Sequence, residues 1–543
     1  MLHHISKREK IIIMIAVMSS LFLAALDQTI VGTALPKILT EFNALKDLSW
    51  VITAYMLTST IAVPVAGKLS DLFGRRRMLM AGVAIFVLGS MLCGASQNIL
   101  QLILFRALQG LGGGVIFSNA FTVIGDIFTP RERGKWQGVF GAVFGISSVI
   151  GPLLGGLLTD GPGWRWTFYI NVPIGIAAFT LIARYLPTIT HKVKEKIDVL
   201  GAILISAGLA GLVLACALGG TDGWAWSSPQ IIGMIIGAFA ILVAFIFVER
   251  KAESPILPLD LFRQSIFNVT AIAIFLFGIG FLGTVIYIPL FAQDILNFSA
   301  TNSGIIILPM VAGLTITSMV CGRVVAKTGK YKIMYCTGLA IAGLGILLLS
   351  FLNATSSYFD MAWRMFVAGA GIGISMPLFT LVVQNAFDKK HLGVATSSVQ
   401  LFRSMGGTVG TAILGGVLNN VLINKLGNIQ NDPFVQIAKQ SGGESAEQFS
   451  NIDINAVQGI LSTKGQESIF SSLSQLPAQV QQTAIDAFNS FSEVLRVALS
   501  DSITRIFLVS SIFLAIAVVV SLFLKEIPLK HHNEEDIPPL GDA

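Results

Sequence analysis

From Met78 to Phe105, and again from Ser265 to Gln293, the chain runs without one charged side chain. Runs of this kind constrain a fold more than any motif. A helix crosses the bilayer core in about 20 apolar residues and satisfies its own backbone hydrogen bonds on the way. About fourteen segments qualify, near 11–34, 48–68, 78–97, 100–124, 136–158, 165–186, 199–219, 230–248, 266–292, 302–325, 333–353, 359–386, 392–420 and 504–524. Composition excludes a soluble alternative. With 54% of the 543 residues hydrophobic and 12% charged, most of a soluble surface would be apolar. The expected fold is all-α and polytopic.

The bases set the expected orientation. Arg75-Arg76-Arg77, Arg131 to Lys135, Lys192 to Lys196, Arg250-Lys251, Lys327 to Lys332 and Lys389-Lys390 fall on alternate loops. Those loops and both termini are therefore predicted to be cytoplasmic. Opposite loops, such as Ser96-Gln97-Asn98 and the turn at Asp222, are nearly free of bases. The net charge of +6 thus reads as membrane sidedness, with no nucleic-acid partner expected. Lys7, Arg8 and Lys10 precede the first apolar run, and no small-residue cleavage site ends it, so it reads as a retained span. Cys93, Cys216, Cys321 and Cys336 lie inside apolar runs and resemble neither a metal set nor a disulfide framework.

The two halves echo each other. Gly67-Lys68 followed by Gly74-Arg75 recurs as Gly322-Arg323 followed by Gly329-Lys330. Phe105-Arg106 with Gly113 recurs as Trp363-Arg364 with Gly371. Glycines of the fifth span are echoed by Gly406, Gly407, Gly410, Gly415 and Gly416. The expected organisation is an N-terminal six-helix bundle (1–190), two additional helices (191–260), five helices of a C-terminal bundle (261–423), a partly helical extracellular loop (424–503), and a last helix with a cytoplasmic tail (504–543). The loop carries Val480, Ala484, Phe488, Phe491, Leu495 and Leu499 at helical spacing after Pro477, which predicts a helix running into the last span. Parallel repeats with a site between them, near mid-membrane, are an arrangement of transporters.

Four stretches carry the chemistry. Leu26-Asp27-Gln28-Thr29-Ile30-Val31 places an acid inside the first span. An ionised carboxylate there costs roughly 2.5–3.5 kcal/mol on insertion scales, so Asp27 reads as a group that takes up a proton or holds a cation. The competing reading is an acid facing a water-filled vestibule, or one neutralised by a neighbouring base for packing alone. Arg106, the only charge between Arg77 and Asp126, needs a partner or water because it cannot shed its proton. At 1.5 Å per residue, Asp27 and Arg106 lie about 14 and 10 Å below the outer ends of their helices, depths compatible with coupling. Gly67-Lys68-Leu69-Ser70-Asp71-Leu72-Phe73-Gly74-Arg75-Arg76-Arg77 joins spans two and three. Its glycines allow a tight turn, and Asp71 can pair with nearby bases. In span five, Gly145, Gly151, Pro152, Gly155 and Gly156 suit close helix packing and a bend.

These stretches resemble known ones. The Gly67–Arg77 loop resembles the signature loop of the major facilitator superfamily, with Gly67, Asp71, Gly74, Arg75 and Arg76 at the family's spacing. Arg106 with Gln109, Gly110 and Gly113 resembles the family's fourth-helix motif, and the Gly145–Gly156 run resembles the motif associated with its antiporters. Together with Leu26–Pro36 and fourteen spans, the chain resembles the drug:proton antiporters of the QacA/EmrB type over nearly its whole length except residues 424–503. It departs from their common Asn-Val at Gly32-Thr33. The resemblance implies two six-helix bundles plus two extra helices and a cytoplasmic gate at the signature loop. It also implies export of small hydrophobic, often cationic, drugs, dyes or biocides in exchange for protons, with Asp27 and Arg106 at the coupling site. The partners it implies are substrate, protons and the bilayer, with the chain acting as a monomer in a bacterial cytoplasmic membrane.

Neither a Gly-x-x-x-x-Gly-Lys-Ser/Thr phosphate loop nor a His-Glu-x-x-His pair occurs. No cofactor, metal or enzymatic activity is therefore expected, and the proton motive force is the expected energy source. A lipid or lipid-precursor flippase of the same fold is the alternative, and a non-transporting sensor is a weaker one. Arg364 and Arg403 read as structural bases and Asp294 as a solvated helix end.

Overall fold

The computed structural model describes residues 6–42, 48–188, 198–219, 224–296, 303–387, 392–427, 429–440, 454–474 and 478–529. The bases at 192–196 and 389–390, the turn at Asp222, and Pro477 lie outside them. Fourteen described helices are long and apolar enough to cross a membrane, matching the number and order expected. The first six spans are α1 (Lys7–Glu41), α2 (Leu48–Phe73), α3 (Arg75–Gly94), α4 (Ile99–Ile127), α5 (Pro130–Asp160), and a sixth broken into α6 (Trp166–Tyr169) and α7 (Asn171–Tyr185). Next come α8 (Val199–Leu218) and α9 (Pro229–Glu249), which pack on each other. The remaining spans are α10 (Ser265–Leu290), α11 (Ser303–Thr328), α12 (Lys332–Leu349), α13 (Tyr358–Ala386), α14 (Leu392–Lys425) and a final long helix.

Polar residues at the helix ends stop and start these runs. Asn98 caps α4 by accepting from the Gln101 amide at 2.9 Å. Thr129 and Glu132 cap α5 reciprocally, with Pro130 in the first turn. At the tight turn between α2 and α3, Gly74 takes φ +90°, and its counterpart Gly329, between α11 and α12, takes φ +69°. A side chain would strain both positions, which explains why the repeat preserves glycine there.

Each half has its own apolar core, around Met14, Phe86 and Ile124 in the first and around Phe277, Tyr335 and Phe379 in the second. Between the halves the fit is made by small residues. Gly138 on α5 lies against Ser318 of α11, and Gly67 on α2 lies against Ser397 of α14. A Cβ at Gly322 would sit 3.0 Å from the Gly134 carbonyl carbon, so the α5–α11 backbones nearly touch. The repeated Gly67 and Gly322 thus occupy equivalent places on two related seams.

Three short helices, α15 (Pro433–Gln440), α16 (Ile454–Leu461) and α17 (Thr463–Leu473), precede α18 (Ala478–Leu522). At 1.5 Å per residue, the 45 residues of α18 span about 68 Å, more than twice the hydrocarbon core. Its first turns therefore stand beyond the membrane. They carry an aromatic cluster, with Phe434 5.1 Å from Phe488 and 5.2 Å from Phe491, and Phe470 5.2 Å from Phe488. Ala484, Phe488, Phe491, Leu495 and Leu499 are all buried, as their spacing predicts.

Candidate functional site

Two polar clusters and a cleft lie along the bundle. The first cluster is closed within the N-terminal half. Asp27 on α1 is completely buried and Arg106 on α4 is 3% exposed. Arg106 Nη1 donates to Asp27 Oδ2 at 2.6 Å. Gln109 Nε2 and Asn171 Nδ2 both donate to Asp27 Oδ1 at 2.8 Å. Arg106 Nη1 also reaches Gln109 Oε1 at 2.8 Å, and its guanidinium lies 4.5 Å from the centre of the Tyr55 ring. Asn171 continues to Ser90 Oγ at 2.9 Å, which donates to the Phe168 carbonyl.

Close helix approach makes this cluster possible. Gly110 faces the Tyr55 backbone, Gly113 faces the Tyr55 hydroxyl, and Gly89 of α3 lies against the Gln109 backbone. Three donors on one carboxylate, one of them cationic, compensate its loss of water. Removing one partner of such a pair leaves a lone buried charge, at about 3–5 kcal/mol. Proton uptake by Asp27 would do the same to Arg106.

The second cluster sits at the basic face, where Lys10 lies 5.4 Å from the Phe128 ring and 3.8 Å from Glu132. Arg75 is buried there. It pairs with Asp71, donates to the Ser70 hydroxyl, and reaches Asp126 Oδ2 at 2.8 Å. Gly393 of α14 packs directly on Asp71 and Arg75, so the ionic group touches the C-terminal half. Arg76 instead donates to the Ala183 carbonyl of α7. A further latch joins the halves beside it. Arg133 donates to the Gln384 carbonyl at 3.2 Å and the Gly125 carbonyl at 2.6 Å. The Gln384 amide bonds Thr396 Oγ1 at 3.0 Å and the Phe121 carbonyl at 3.1 Å, and accepts from Gln137 at 3.2 Å.

Between the halves lies a cleft lined by Phe121, Phe140 and Phe144 from the first half and by Phe379, Gln400 and Arg403 from the second. In this closed arrangement it has room for about one or two waters.

The span-five residues divide their work. Gly145 packs across the seam against Val311 and Thr315, whereas Gly151 and Gly155 pack on Thr29 and Thr33 of α1. Pro152 lies inside α5, and Gly156 faces open space, contrary to the expectation of uniform close packing. Arg364 is structural as expected, bonded to Asp360 at 2.9 Å and to the Leu348 carbonyl at 3.1 Å. Arg403 is not. Among the described residues it has neither an ion pair nor a hydrogen-bond acceptor. Asp294 is half-buried in a π-helical turn, with one carboxylate oxygen enclosed and unpartnered, instead of being a solvated end. Sequence reasoning missed Asn171, Asp126, Arg133 and Gln384. A lone asparagine at the start of an apolar span was the available signal for Asn171.

Repeated bundles meeting at a glycine-lined seam, with ionic groups buried in and between them, define a polytopic transporter. The major facilitator superfamily description matches residues 17–202 and 194–411. The multidrug transporter protein MdtP of Bacillus subtilis is 41% identical over 524 residues, covering 95% of this chain and 93% of that one. Multidrug resistance protein 3 of the same organism is 37% identical, covering 95% of this chain and 96% of that one. Among solved structures, the human organic anion transporter MFSD10 (TETRAN) aligns with a TM-score of 0.60 over 94% of this chain and all of that one, at 12% identity, a likeness of fold alone. The chain belongs to the major facilitator superfamily.

Proposed function

We propose that this transporter exports bulky hydrophobic compounds, as a multidrug efflux protein, in exchange for protons. The multidrug names of its relatives support the substrate class. One observation carries the coupling: Asp27 is sealed from the inter-bundle cleft and engaged by Arg106, Gln109 and Asn171. A sealed acid suits a proton better than a bulky substrate cation. Protonation releases Arg106, and the helices that hold the cluster, α1, α4 and α7, move relative to one another to rehydrate or re-pair it.

In this reading the basic face is cytoplasmic, both termini lie there, and the membrane is a bacterial cytoplasmic membrane. The Asp71–Arg75–Asp126 group and the Arg133–Gln384 latch then close the cytoplasmic side. Substrate enters from the inside once these contacts part, and a monomer of two six-helix bundles plus α8 and α9 suffices. Substrate and proton shift the equilibrium only by their differential affinity for the two states.

The test is ethidium export from energised cells of an efflux-deficient host. Protonophore-sensitive export by the wild type, abolished by Asp27→Asn at equal expression, is the expected result. Full export by that variant would remove Asp27 from the coupling step.

A further inference from the structure

We infer that Arg403 gives the central cleft a subsite for the acidic group of an amphiphilic organic anion, and so decides which compounds are carried. This rests on the efflux reading for its setting but on separate observations. Arg403 lies on α14, seven residues, or about 10 Å, beyond the Thr396 that closes the latch. Gln400, one turn before it, lines the same cleft. The rest of the lining is aromatic, aliphatic or neutral polar, and contains no acid.

The buried arginines described above have all found acceptors, whereas Arg403 is half-buried. Arg75 has Asp71 and Asp126, Arg106 has Asp27, and Arg133 has three backbone carbonyls. Arg403 instead shares the cleft wall with phenylalanines and small residues. Its own backbone is held from behind, where its carbonyl approaches Gly278 of α10. An arginine inside a membrane bundle is costly and cannot be neutralised by losing its proton. An arginine without an acceptor among the described residues, on the wall of a cleft that both halves line, is placed for a ligand to supply one.

The planar guanidinium offers two parallel donors to a carboxylate or phosphate. The surrounding rings take an apolar body. The same charge adds nothing for a cation, which the rings alone can hold, so the site raises acidic amphiphiles above their neutral counterparts. Among acids it favours those whose charge sits at the end of a flat or extended apolar frame.

The measurement is binding of dansyl-undecanoate, and of its uncharged carboxamide, to the purified full-length protein in phosphatidylcholine nanodiscs. The wild type should prefer the acid over the amide by about tenfold or more. Arg403→Gln should abolish that preference while leaving amide binding unchanged, and Arg403→Lys should keep most of it. Equal binding of acid and amide by the wild type, or parallel loss of both ligands in Arg403→Gln with the melting temperature unchanged, would overturn the inference. Displacement of the probe by short-chain phosphatidylglycerol but not by phosphatidylcholine assigns the anion to a lipid headgroup. Displacement by neither assigns it to a free organic acid. Export of ethidium is read separately on the same variants. Ethidium exported without acid preference defeats only this subsite, and acid preference without any protonophore-sensitive export defeats only the antiport reading.

Discussion

Arg106 and Arg403 are both single arginines in glycine-rich transmembrane helices, and their surroundings are opposite. Arg106 is locked to a carboxylate, an amide and a ring, with the carboxylate held by two further donors. Arg403 has a cleft in front of it and no acceptor among the described residues. A third arginine, Arg364, stands at the place in the C-terminal repeat that Arg106 holds in the first, and it pairs locally with Asp360 four residues away. Repeated position therefore does not carry repeated chemistry. What a membrane arginine does depends on whether its charge is already answered. An answered charge is already engaged within the bundle, and an unanswered one is open to a ligand.

The sharpest way to break this contrast is to neutralise each arginine. Arg106→Met strands the Asp27 carboxylate in the bundle and should destabilise the protein by about 3–5 kcal/mol, or force Asp27 to hold a proton permanently. Arg403→Met removes a charge with nothing to lose and should leave the melting temperature in detergent unchanged or raise it. Equal losses in the two variants would show that Arg403 has an acceptor after all.

A smaller effect sharpens the first half of the contrast. Asn171→Ala removes one of three donors to Asp27 and the link to Ser90. Side-chain hydrogen bonds between membrane helices are worth about 0.6 kcal/mol on average, and those to charged groups more, so a loss of about 1 kcal/mol is expected. A loss as large as that of Arg106→Met would make Asn171, and not the arginine, the keystone of the cluster.

The smallest effect concerns an ion pair in water. At the end of α1, Glu41 accepts from Arg165 and from the Trp164 indole, both at 2.7 Å. The Arg165 bond, ahead of the Trp164 one, holds its carboxyl below the ordinary 4.5. A depressed carboxylate pKa contributes stability above the unfolded value, and that contribution is lost as pH falls through the folded one. The two side chains are 39% and 45% exposed, so the contribution is about 1 kcal/mol or less. Glu41→Gln should therefore melt slightly below the wild type at pH 7 and together with it near pH 3. A gap that persists in acid would mean that Glu41 acts through packing and not through charge.

Much of this molecule was legible before any coordinate. The fourteen spans follow from apolar run length, because a bilayer leaves a chain few ways to bury its backbone except as helices. The halves follow from echoed glycines, two of which both adopt a positive φ. The suspicion attached to Asp27 and Arg106 follows from the cost of charge in hydrocarbon. Their contact did not follow, since equal depth in two helices says nothing of which faces meet. Asp126 looked like the boundary of a charge-free stretch, yet it is the second acid on Arg75. Gln384 and Arg133 lie 251 residues apart and gave no joint signal, yet they bond across the seam.

The division has one physical origin. Hydrophobicity, turn chemistry and the placement of bases act residue by residue, and membrane insertion reads them directly. Pairing acts between helices, and it is settled by where small residues let backbones approach and which side chains are then brought within hydrogen-bond reach. So the chain's own chemistry decided that this is a many-helix membrane protein with charges in costly places. Packing alone decided that Arg106 would be answered by Asp27, and that Arg403 would be left facing the cleft.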